Sequence, residues 1–116
     1  MSTVLQIYEA IDRLAPFFLS MDFDNTGILV GDRQKKVERA LLALDCTKEV
    51  LRQAKELGAQ LIITHHPIIF HPIKRVNEDS LVYHLLRSDI AVISAHTNLD
   101  IAQGGVNELL AKRIGL

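Results

Sequence analysis

The chain predicts an α/β fold, a mainly parallel sheet flanked by helices, on three observations. Short apolar runs at residues 28–30, 39–44, 61–63 and 90–93 alternate with segments of helical periodicity. The links between the later runs are short, which implies strand–helix–strand crossover units. Polar residues collect just past those runs, at the carboxyl ends where open α/β sheets bind ligands.

Residues 4–15 carry Val4, Leu5, Tyr8, Ile11, Leu14 and Ala15 at helical spacing. Thr3 and Gln6 stand where a capping box places them, and Pro16 ends the helix. Asp22-Phe-Asp24-Asn25-Thr26-Gly27 is a turn-rich loop leading into a short strand at 28–30, closed by Gly31-Asp32. Residues 39–44 (Arg-Ala-Leu-Leu-Ala-Leu) read as a strand, with helix the alternative because Ala and Leu favour it. Asp45-Cys46-Thr47 follows as turn and N-cap. Residues 48–57 then put Val50, Leu51, Ala54 and Leu57 on one helical face, with Gly58 as the stop. Leu61-Ile-Ile63 is the next strand. A helix from Asp79 or Ser80 to about Arg87 turns Leu81, Val82, Leu85 and Leu86 inward, and residues 90–93 form another strand. Gly104-Gly105 breaks the chain before a last helix with Val106, Leu109 and Leu110, stopped near Gly115.

A chain of 116 residues predicts one domain, 1–116, with room for a modest core. Hydrophobic residues at 48% and charged ones at 23% suit a folded rather than a disordered chain. Thirteen basic and 14 acidic residues are dispersed, so no basic block tracks nucleic acid and no cationic amphipathic segment meets a membrane. Four Phe, two Tyr and no Trp offer little for base stacking. The single cysteine, Cys46, excludes an intrachain disulfide and fits a reducing compartment. With no signal-like N-terminus and no apolar run near the roughly 20 residues of a membrane span, a cytoplasmic protein is expected.

The chemistry lies at the strand ends. Gln60-Leu-Ile-Ile-Thr-His65-His66-Pro67 is an apolar strand that runs into two histidines, and Ala91-Val-Ile-Ser-Ala-His96 delivers a third, with Asp100 in a polar loop beyond. Imidazole and carboxylate groups gathered in this way are what a divalent-metal site needs. Adjacent residues on an extended chain point to opposite sides. His65 and His66 therefore serve two neighbouring metals, or the chain bends so that both converge; Pro67 keeps His66 extended. Two metals with a carboxylate between them is the reading that uses both imidazoles. His71 is expected in a loop role and His84 on a helix, facing solvent or the helix–sheet seam. Local turn hydrogen bonding is the expected role of Asp24 and Asn25, which could also line the site from the first loop. Asp45 either approaches the metals or caps the following helix. Cys46 reads as a small buried hydrophobe and Gly104-Gly105 as a turn.

Four segments together carry a resemblance: Asp24-Asn-Thr-Gly-Ile-Leu-Val-Gly31, Leu44-Asp-Cys-Thr47, Ile62-Ile-Thr-His-His-Pro-Ile-Ile-Phe70 and Ser94-Ala-His-Thr-Asn-Leu-Asp100. In that order the chain resembles the N-terminal half of the NIF-three-like family, whose members are commonly labelled GTP cyclohydrolase 1 type 2 homologues. The resemblance implies an α/β fold, a dinuclear divalent-metal centre, a hydrolase acting on a small molecule, and a ring-shaped homo-oligomer, often a hexamer. It carries His65 to one metal, His66 to the other and Asp100 to the pair, with His96 a nearby residue; in a metal-dependent hydrolase His96 is expected to act as the catalytic proton shuttle at neutral pH. The two ions could be zinc, iron, manganese, cobalt or nickel. The family completes its site with a His and a Glu four residues apart, late in a longer chain. No His-x-x-x-Glu occurs here, since His84 is followed four residues on by Ser88. The expectation is therefore a domain truncated at its C-terminus that holds part of the site, and a metal-binding or interaction scaffold without turnover is the alternative function.

Overall fold

The computed structural model describes the whole chain, Met1–Leu116, and its first helix is capped as the Thr3/Gln6 spacing requires. β1 (Ser2–Thr3) leads into α1 (Val4–Leu14). Gln6 N–H donates to Thr3 Oγ1 at 3.2 Å and Thr3 N–H donates to Gln6 Oε1 at 2.9 Å, so two of the unpaired amides at the helix start are satisfied. Pro16 ends α1, and a single 3-10 turn, Phe17–Leu19, stacks Phe17 on Tyr8 at 4.5 Å. β2 (Gly27–Val30), β3 (Lys36–Val37) and β4 (Ala40–Ala43) follow. Thr47 caps α2 (Lys48–Leu57), which Gly58 closes in the left-handed conformation at φ 69°. β5 (Leu61–Thr64), α3 (Leu81–Arg87), β6 (Ala91–Ser94), α4 (Thr97–Ile101) and α5 (Val106–Arg113) complete the chain.

The main sheet has the order β2-β6-β5-β4. β4, β5 and β6 are parallel, whereas β2 pairs antiparallel with β6, so the sheet is mixed rather than mainly parallel. The reason lies in the links. Helices α2 and α3 carry the chain back between β4, β5 and β6, but no helix separates β2 from β4, and that connection makes no crossover. β1 and β3 form a separate two-stranded ribbon.

Alternation along the strands fills two cores. Ile62 and Val92 face α2 and α3, against Leu51, Ala54 and Leu85. Leu61, Ala91 and Ile93 face α1, against Val4. The helix faces are narrower than the periodicity implies. Leu14, Leu57 and Leu86 lie exposed because each sits at or near a helix end, beyond the sheet's cover. All of Val106, Leu109 and Leu110 on α5 are exposed as well, since no strand lies under that helix.

Gly105 does more than turn the chain. A Cβ there would meet the Leu99 carbonyl oxygen at 2.1 Å, so the start of α5 crosses α4 at a distance only glycine allows.

Leu85 is wholly buried at the seam of α3 and the sheet. Leu85→Ala should lower unfolding free energy by about 2–5 kcal/mol in urea titrations; a loss below about 1 kcal/mol would show that α3 is not part of the core.

Candidate metal centre

One row of strand partners sets the site. Ala43 pairs with Thr64, Thr64 with Ser94, and Ser94 with Gly27. The parallel strands leave this row by their carboxyl ends, toward Asp45, His65–His66 and His96. The antiparallel β2 enters it from Asp24 and Asn25, so the first loop reaches the same edge.

Past β5 the chain bends, and the two adjacent histidines converge instead of splaying, with ring centroids 5.5 Å apart. The bend is held by buried hydroxyls. Thr64 Oγ1 donates to the His66 carbonyl at 2.8 Å, and Ser94 Oγ donates to the His65 carbonyl at 3.4 Å. The bent alternative thus holds, and alternation no longer requires two metals. His96 joins the pair at 5.2 and 5.6 Å between ring centroids. One ligand atom from each of His65, His66 and His96 lies within 4.8 Å of the others, a spacing that can surround a metal ion. Asp100 closes one side, its Oδ1 3.1 Å from His65 Nε2. It stands on α4 rather than in a loop; four residues on from His96, it is one helical turn away.

Each imidazole is tied back through Nδ1. His65 Nδ1 donates to the Ala95 carbonyl at 2.8 Å, a partner that can only accept. His66 Nδ1 meets Asp45 Oδ1 at 2.8 Å, and His96 Nδ1 meets both Asp24 oxygens at 3.1 Å. The Nε2 atoms are left for the cluster. For His65 this has a consequence: with Nδ1–H donating, a neutral ring turns a lone pair at Nε2 toward the Asp100 carboxylate. A cation, proton or metal, has to stand on that side of the ring, and the donor set fits a divalent ion.

The carboxylates behind the rings were the least visible part of the sequence. Asp45 caps nothing, because Thr47 Oγ1 takes the Val50 amide at 3.1 Å, and the carboxylate orients His66 instead. The Asp24 side chain is closed off from solvent. Burial acts to raise its pKa, but hydrogen bonds from Thr97 and His96 outweigh that and hold it below the ordinary carboxylate value of 3.8. Asn98, fully buried, accepts the His96 amide at 2.9 Å and donates to the Ala15 carbonyl at 2.9 Å, anchoring His96 to the end of α1. Asn25 Nδ2 donates to the Ile69 carbonyl at 2.7 Å and pins the segment after His66-Pro67.

The other candidates fall outside. His71 is exposed against Phe70, and His84 donates to the Glu78 carbonyl at 2.7 Å. Burial pushes the Cys46 thiol up to about 11, so it is protonated and unreactive at neutral pH. The largest cleft, about 1020 Å³, lies at the opposite end of the sheet between α2 and α3 and includes none of the cluster. No helix is long and apolar enough to cross a membrane.

An α/β sheet with a histidine cluster at its carboxyl edge defines a class of candidate metal protein. Within it, a family model described as Duf34/NIF3 (NGG1p interacting factor 3) matches residues 2–116, and the chain belongs to that family. It is similar to the GTP cyclohydrolase 1 type 2 homolog of Clostridium perfringens, 45% identical over 113 residues that cover 94% of this chain and 43% of that protein. The protein of the same name from Halalkalibacterium halodurans is 42% identical over 118 residues, 98% of this chain and 31% of that one. Among solved structures, a Bacillus cereus protein related to NIF3 superposes with a TM-score of 0.91 at 40% identity, over 100% of this chain and 33% of the other. The chain spans less than half the length of these relatives.

Proposed function

We propose that the cluster is the metal centre of a divalent-metal-dependent hydrolase, with His65 and His66 each on one of two ions and Asp100 shared between them. The observation that carries this reading is the convergence of three imidazoles and Asp100 at one sheet edge, each Nδ1 already engaged elsewhere. Zinc, iron, manganese, cobalt and nickel all suit such donors. When bound, divalent ions supply Lewis acidity toward a carbonyl, ring carbon or phosphoryl oxygen and lower the pKa of water.

The chain's own residues do the rest. His65 and His66 offer Nε2 in fixed orientations, so little ordering remains to be done on loading. His96 takes and returns a proton at Nε2 while Nδ1 stays bonded to Asp24. Phe23 and Phe70, edge to face at 6.3 Å, stand on the two loops that Asn25 joins and form an apolar wall beside a small-molecule substrate. The relatives' name makes GTP the first substrate to test. A reducing, cytoplasmic setting suits a chain with one unpaired thiol.

A second reading is a metal-binding scaffold without turnover. It is favoured by the donor count, because three imidazoles and one carboxylate would be enough to hold a single divalent ion with His96 among the ligands. Metal content per chain, measured beside hydrolysis of GTP and simple phosphoesters, separates the two. Two ions with turnover lost in His65→Ala support the hydrolase. One ion without turnover supports the scaffold, and no stoichiometric metal overturns both.

Assembly is proposed on separate grounds. β4 is a sheet edge with Leu42 72% exposed and Leu44 beside it, and the apolar residues of α5 are open. Burying these surfaces favours a homo-oligomer, a hexamer by the family resemblance. Sedimentation should show self-association at micromolar concentration; a well-behaved monomer would contradict it.

A further inference from the structure

The first loop brings one carboxylate into the site with an unusual set of partners. Asp24 Oδ2 accepts from Thr97 N at 3.1 Å and from Thr97 Oγ1 at 2.6 Å, while Oδ1 accepts from the amide of Asn25 at 2.9 Å. Both oxygens stand 3.1 Å from His96 Nδ1. Thr97 Oγ1 accepts in turn from Met21 N at 2.9 Å, so the hydroxyl hydrogen has one direction left, toward Asp24. The carboxylate cannot rotate without breaking a bond to Thr97, and it is closed off from solvent. His96 is held on its other side as well, since Asn98 fixes its backbone amide.

Asp24 is far from His96 in sequence, and nothing local in the first loop needs four donors on one side chain. The pairing exists because β2 runs antiparallel to β6, which sets the entry to β2 beside the exit of β6. Asp45 makes a similar contact to His66, but there the carboxylate is 55% exposed and has no second partner holding it. Only the Asp24 arrangement is both enclosed and fully bonded.

We infer that Asp24 is a positioning residue, which locks His96 as the tautomer protonated on Nδ1 and thereby presents its bare Nε2 to the cluster. This rests on the proposed role of the cluster, in which His96 serves through Nε2 as proton carrier or ligand. A neutral imidazole has one donor and one acceptor nitrogen, so the partner at Nδ1 decides what Nε2 can do. Asp24→Asn removes that lock. Thr97 supplies two donors to the Oδ2 position, which draws the amide oxygen there and leaves the NH₂ at the Oδ1 position, where the Asn25 amide loses its acceptor. His96 Nδ1 then has an acceptor and a donor equally near, 3.1 Å from either position, and neither tautomer is enforced. A ring protonated on Nε2 offers the cluster no lone pair.

The test uses nitrogen-15 NMR of the histidine rings in the metal-free protein, at about pH 8.5, two units above the ordinary imidazole pKa of about 6.5. His96, assigned by its loss in His96→Ala, should show protonated Nδ1 and bare Nε2 in the wild type and a shift toward averaged tautomers in Asp24→Asn, with thermal melting as the control for folding. The inference is overturned if wild-type His96 is protonated on Nε2 or averages between tautomers, or if folded Asp24→Asn keeps the wild-type pattern. Should Asp24→Asn fail to fold, the wild-type spectrum decides alone. Because no metal is present, the result stands apart from the metal-centre reading: a locked His96 in a protein that takes up no metal would sink that reading and leave this one.

Discussion

The partner row Ala43–Thr64–Ser94–Gly27 is the constraint on which the site depends. Parallel pairing fixes the axial position of three strand ends at once, and the residues one and two steps past the row become neighbours whatever their separation in sequence. Shifting any strand by one residue would turn its side chains to the other face and dismantle the cluster and both cores together. The same register that buries Ile62 and Val92 under α2 and α3 therefore also aims His65, His66 and His96 at one place. Stability and site geometry are set by one set of backbone hydrogen bonds.

At the end of the row the sheet has to let go of its backbone, and polar side chains take over. Thr64 and Ser94 are buried hydroxyls that accompany the bend, each donating to a histidine carbonyl. Left unpaired, such a carbonyl would cost about 1–3 kcal/mol, so these donors help the bent conformation compete with a continued strand. The outer acceptors, Ala95 O, Asp45 and Asp24, then take the Nδ1 protons and turn the three rings inward. The arrangement is layered: strand register, then hydroxyl-held bends, then acceptors behind the rings.

Much of this could be read from the residues. Hydrophobic period and caps located α1, α2, α3 and α5, because signals such as Thr3, Gln6, Thr47 and Gly58 act within a few residues of themselves. The histidines were visible because an apolar strand that ends in polar donors has few other reasons to do so. The short helix α4 went unread because five residues carry too little periodicity, and the two further features that were not legible are both long-range. The antiparallel direction of β2 leaves no trace in a four-residue strand, since a strand reads the same in either direction. The roles of Asp24 and Asn98 depend on contacts to Thr97 and Ala15 that only the fold creates. Asp24 keeps a local bond to the Asn25 amide and adds its tertiary partners to it, whereas the cap open to Asp45 is taken by Thr47 and the tertiary contact to His66 replaces it. The exposed faces of α5 and β4 are legible as apolar but carry no sequence signal of what covers them.

A divalent ion at the sheet edge would meet the Nε2 atoms of rings whose Nδ1 atoms are already bonded. Crystals grown with zinc and measured on both sides of its absorption edge test this directly. An anomalous peak is expected among His65, His66 and His96, about 2.0–2.1 Å from Nε2 of at least His65 or His66. Zinc bound elsewhere on the surface, or bound through Nδ1 of rings turned away from Ala95 and Asp45, would contradict it.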